Sequence, residues 1–171
     1  MGAKYKALDI ASLFIQLSNG IDDTIDNLKL NKLLYYAQGW SLARYGIPLF
    51  DDKIEAWDYG PVVDDVYHTY KVCKRNPIQE PAYEFDEDKL SSDELDLITN
   101  VYSNYGRFTS VALTNMTHEK DTPWSQVYVP RKNNEITKKM MKEYFKNCGE
   151  MKDIRFNFSP ELIVDGITKD E

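Results

Sequence analysis

The sequence predicts a mostly α, compact single-domain helical bundle with a short extended segment near residues 53–58, and three observations predict it. Apolar residues recur at i, i+3, i+4 and i+7 in stretch after stretch, the spacing of one helix face. Polar caps open those stretches and glycines close them. With 42% hydrophobic residues among 171, the chain has enough apolar surface for a real core and is too apolar for disorder.

From the N-terminus, "LDIASLFIQLSNG" places Ile10, Leu13, Phe14 and Leu17 on one stripe, with Asp9 available as N-cap and Gly20 as stop signal. "DNLKLNKLLYYAQGWSLARYG" runs longer, from a cap at Asp26 to a left-handed end at Gly46. Leu28, Tyr35 and Leu42 give it a second apolar side, so it should lie centrally. In "KIEAWDY" the period falls to two, with Ile54 and Ala56 on one side and Glu55, Trp57 and Tyr59 on the other. Gly60-Pro61 then turns the chain, with Pro61 at the first position of a helix whose stripe is Val63, Val66, Tyr67 and Tyr70. Pro77 and Pro81 mark a surface loop, and Ser91-x-x-Glu94 opens a capped helix ending at Gly106. A short helix starts at Thr109, another turn at Pro123-Trp124, and "NEITKKMMKEYFKNCG" reads as a final helix with Ile136, Met140 or Met141, and Tyr144 inward. Alternation at Phe156 and Phe158 admits a C-terminal edge strand. No linker divides residues 1–171, so one domain is expected.

Net charge is −7, which disfavours nucleic-acid binding, since a phosphate backbone would be repelled. Acids crowd two segments, 51–65 and 80–96, whereas 131–155 is basic. Solvated faces account for such runs, and an acidic face that attracts a basic protein is the sharper reading. The N-terminus lacks a signal-peptide pattern and no run is long enough to span a membrane, so a cytoplasmic protein is expected.

Chemistry finds little purchase. Cys73 and Cys148 make neither a disulfide framework nor a CxxC pair, and no glycine-rich phosphate loop occurs. Cys73 sits on an apolar stripe, which argues for packing over a Cys–His nucleophile. His118, Glu119 and Asp121 are the one local set that suggests a metal-assisted hydrolase, without a second ligand cluster to complete it. No metal or cofactor is expected. Asp64 and Asp65 are neighbours pointing about 100° apart on a helix, which suits a helix N-terminus better than a shared proton.

"LKLNKLLYYAQGWSLARYGIPLFDDKIEAWDYGPVV" resembles the Panacea antitoxin-domain family, SocA-like and also met as phage-associated GepA-like proteins. Lys32 to Gln38 match its helix, with Tyr35 inside the motif; Pro48-Leu49-Phe50, Ile54 to Trp57 and Tyr59-Gly60-Pro61 match the turn and extended segment after that helix. Thr117-His118 and Pro123-Trp124 match a second block, so the family-like core covers about 8–128 and leaves a C-terminal helix and tail at about 131–171. The resemblance implies a non-catalytic module of a bacterial or prophage toxin–antitoxin system that neutralises a cognate toxin by direct binding. That toxin is expected from the adjacent gene; a phage-encoded protein that diverts a host factor is the alternative without a toxin. Trp57, Tyr59, Gly60 and Pro61 then read as a structural corner, with Trp57 packed on the long helix. Its outer rim, Asp51, Asp52, Asp58 and Asp65 with Tyr45 or Tyr67, is the expected partner surface, and His118 to Trp124 is a second one.

Overall fold

The computed structural model describes residues 2–151. Helix α1 (Ala7–Gly20) is followed by the long α2 (Asn27–Tyr45) and a hairpin of β1 (Ile54–Trp57) and β2 (Gly60–Val62). Then come α3 (Asp64–Tyr70), α4 (Ser92–Tyr105), α5 (Ser110–Thr117), α6 (Pro123–Val127), β3 (Asn134–Ile136) and α7 (Lys138–Asn147). The three strands form an antiparallel sheet in the order β2-β1-β3. The mostly α class therefore holds. Among the described residues no helix is long and apolar enough to cross a membrane.

Helix α2 is the axle, as its two apolar sides predict. Asp26 caps it by accepting the Lys29 N–H (2.8 Å), and Gly46 ends it at φ 67°. Helices α1, α3, α4, α5 and α7 all pack on it. Its Gly39 is the seat of α7: a Cβ there would lie 2.1 Å from the Phe145 ring. Phe145, 1% exposed, meets the rings of Tyr35 (5.5 Å), Tyr36 (6.0 Å) and Trp40 (5.2 Å) edge-on. Between α2 and the sheet, Gln38 serves the backbone of "LF": its amide accepts from Leu49 N–H and donates to Phe50 O.

Four local readings are corrected. Asp9 is not the cap of α1; the helix already begins at Ala7, and the Asp9 carboxylate reaches back from the third position to take the Lys6 N–H (2.8 Å). Gly60-Pro61 does not begin a helix. It is strand β2, paired through Ala56↔Pro61 and Trp57↔Gly60, and α3 opens only at Asp64, with Asp64 and Asp65 in its first turn. The last helix starts at Lys138, not at Asn134: Ile136 pairs with Ile54 across the sheet, and the Thr137 hydroxyl caps α7 by taking the Met140 N–H (3.2 Å). On α7 the inward residues are Met141 and Phe145, with Tyr144 half-buried. The strand suggested at Phe156 and Phe158 lies outside the described residues.

Candidate functional site

The hairpin corner collects most of the residues the sequence singled out. Ile54 and Ala56 are buried, and Glu55 and Trp57 lie on the half-open side, as the alternation requires. Asp58 and Tyr59 form the tip, and the chain reverses through Gly60 at φ 107°, a backbone region that side chains resist. Trp57 is not packed into the long helix. Its half-buried ring meets Tyr67 (4.9 Å) and His68 (6.2 Å) of α3, because its strand position turns it away from the core.

Helix α2 grips β2 from beneath with two polar side chains. The Asn31 carbonyl accepts the Val63 N–H (2.9 Å), and the Lys32 ammonium donates to the Pro61 carbonyl (3.3 Å). Lys32 is fully buried, and a Cβ on Gly60 would lie 2.5 Å from its Cε and 2.9 Å from the Thr117 hydroxyl. Thr114 donates its hydroxyl to Tyr59 O (3.3 Å), which ties α5 to the tip.

Three stacked rings brace the other side. His118 lies on Trp124 (3.7 Å, 12°) and Trp124 on Tyr128 (4.2 Å, 20°). The Trp124 indole donates to Trp57 O (2.8 Å), and the Tyr128 hydroxyl donates to the Asp58 carboxylate (2.7 Å). Thr122 starts α6 and donates its own hydroxyl to Thr117 O (2.7 Å), fixing the turn that aims His118 at the stack. The His118 Nε2 is buried without a hydrogen-bond partner among the described residues. Burial, with the nearby Lys32 charge, holds the imidazole below its ordinary pKa, so the neutral ring is favoured.

Burial also brings the Lys32 ammonium down from 10.5 to about 7, only weakly opposed by Asp26. Unfolding therefore takes up a proton anywhere between those two values. Stability should rise with pH across that window, by at most roughly 1.4 kcal/mol per pH unit. The cost of the buried charge is fully present below pH 7. Above about pH 10 the trend reverses, since burial raises Tyr35 and Tyr36 and unfolding then releases their protons. Lys29, lowered by burial too, adds slope of the same sign, so the comparison with Lys32→Met is the quantity to read. Urea unfolding at pH 7, 8 and 9 should show the slope reduced in Lys32→Met, and an equal slope in both proteins would show that Lys32 keeps its proton in the folded protein across that range.

The remaining candidates lie elsewhere. The Asp51 carboxylate accepts the Ala3 N–H (2.7 Å) and Asp52 the Ala7 N–H (2.9 Å), so both hold the N-terminal segment. Tyr45 is 41% exposed at the end of α2, about 20 Å along the helix from Lys32. Asp65 is exposed on α3 beside the half-buried Tyr67. Glu119 and Asp121 are exposed while His118 turns into the stack, and no three His, Cys, Asp or Glu groups converge as metal ligands among the described residues. Sequence reasoning missed Asn31 and Tyr128; only Tyr128 carried a readable signal, four residues after Trp124 on one helical face.

The sequence pattern of the family described as "Antitoxin SocA-like, Panacea domain" matches residues 30–125, which hold Lys32, the hairpin, His118 and Trp124. Antitoxin SocA of Caulobacter vibrioides (strain NA1000 / CB15N) is 29% identical over 127 residues, covering 69% of this chain and 68% of that protein. No solved structure matches the chain at a significant level.

Proposed function

The chain belongs to the SocA-like Panacea antitoxin family, and from that premise we propose that it is a non-catalytic antitoxin that neutralises one cognate toxin by direct binding. The observation that carries the reading is the family match across the braced corner. At its tip, Tyr59 is 59% exposed, flanked by Asp58, and its carbonyl is held by the Thr114 hydroxyl. A rigid exposed tyrosine loses little entropy on docking, which makes it a good anchor. Asp58 beside it, with Asp64 and Asp65 exposed on the first turn of α3, adds negative charge that would steer a basic toxin surface. The proposed face is thus Asp58, Tyr59, Asp65 and Tyr67, with His118 and Trp124 as its support. Tyr45, Asp51 and Asp52 fall outside it.

The test is co-expression with the product of the adjacent gene. That product should arrest growth alone, and this chain should restore growth and co-purify with it. Tyr59→Ala should weaken the complex at least tenfold, about 1.4 kcal/mol or more. Asp65→Lys should slow association and flatten its salt dependence. A neighbour that is harmless, or rescue without a complex, overturns the reading.

A further inference from the structure

A polar cleft of about 340 Å³ opens between the start of α2, the loop after α3 and the turn joining α4 to α5. That is within the size range of small-molecule sites. Its two carboxylates are already engaged. Asp26 caps α2, and Asp23 accepts both the Tyr102 hydroxyl and the Thr24 N–H. The ammonium of Lys29, a residue only 9% exposed, is turned onto the Gly106 carbonyl beside the cleft.

The two arginines are different. Arg75 and Arg107 line the cleft from opposite connections, both are exposed, and neither has an ion-pair partner among the described residues. Arg107 only lies over the Phe108 ring (5.0 Å). Next to them α5 begins: the Thr109 hydroxyl takes the Ala112 N–H (3.1 Å), which leaves the Ser110 and Val111 N–H groups without a helical acceptor. Two planar five-donor forks beside free helix N–H groups match the oxygens of a phosphate, which guanidinium binds through paired hydrogen bonds. A carboxylate would fill one fork and little of the volume. The remaining space, bounded by Phe108 and Pro77, suits an organic body carried on the phosphate.

We infer that this cleft binds a small phosphate ester, with Arg75 and Arg107 clamping the phosphate at the N-terminus of α5. The site is separate from the hairpin tip and does not depend on the antitoxin reading. Inorganic pyrophosphate and AMP are the probes, followed by thermal unfolding and by amide NMR. At ten times its Kd, a bound probe should raise the midpoint by about 3–5 °C and shift the amide signals of Gly106, Thr109 and Ser110. Arg75→Gln and Arg107→Gln, both at exposed positions, should each weaken binding at least tenfold. Lys138→Gln with Lys142→Gln, on the basic face of α7, should leave it unchanged. The inference is overturned if neither probe exceeds sodium chloride at equal ionic strength, or if the shift survives the double arginine variant. Growth rescue by that double variant, measured separately, tells a failure of the cleft from a failure of the antitoxin reading.

Discussion

Phe145→Ala should destabilise the protein by about 3–5 kcal/mol, a large share of the roughly 5–15 kcal/mol a domain of this kind holds. The ring is the point where α7 closes over α2, filling the space between Tyr35, Tyr36, Trp40 and the bare backbone of Gly39. Gly39→Ala sharpens the test. In an open helix that change would be favourable by about 1 kcal/mol. Here the new methyl would fall 2.1 Å from Phe145, well inside contact distance, so overpacking should turn it into a loss of roughly 1–3 kcal/mol. In the Phe145→Ala background the obstacle is gone and Gly39→Ala should become stabilising. Urea unfolding followed by tryptophan fluorescence reads all four proteins, and the sign change is the signature. Equal costs in both backgrounds would show that α7 does not rest on Gly39.

Gly60→Ala should cost about 3 kcal/mol or more, and two causes add. The backbone at φ 107° resists any side chain by roughly 1–3 kcal/mol. The methyl would also press on Lys32 Cε at 2.5 Å and on the Thr117 hydroxyl at 2.9 Å. Lys32 is enclosed on every side, so its flexible end has nowhere to retreat. Lys32→Ala should recover part of the steric share and none of the backbone share. Near-ultraviolet circular dichroism should report the damage, because Trp57 and Trp124 meet at this corner through the Trp124 indole and Trp57 O. A Gly60→Ala protein as stable as its parent would mean that the hairpin reverses by another path.

Much of this is legible in the sequence because helix ends are local. Asp26, Gly46, Ser91-Glu94, Thr109 and Thr122-Pro123 each do what their residue types favour, and the structure uses them so. The failures share a cause, which is that the deciding partner is distant in the chain. Gly60-Pro61 has the same local signature as a helix start, and what makes it a strand is its pairing with β1 and the hold of Asn31 and Lys32 below. Strand β3 is a three-residue segment whose only strong reason to be extended is Ile54 on another strand. Periodicity alone turns Tyr144 inward in place of Phe145, although a glycine inside the long helix is a sign that something large approaches there. At the site, the aromatic residues are visible, but the burial of Lys32 and the three-ring stack exist only once α2, the hairpin and α6 meet.

The seating of α7 on Gly39 has a consequence for biosynthesis. The axle helix leaves the ribosome about 100 residues before the segment that covers it, a delay of roughly 5–20 s at ordinary elongation rates. For that interval the side of Tyr35, Tyr36 and Trp40 that Phe145 covers has no lid. A nascent chain in this condition is a natural client for holding chaperones, and slowing translation downstream of α2 should lower its yield without any change in the finished protein.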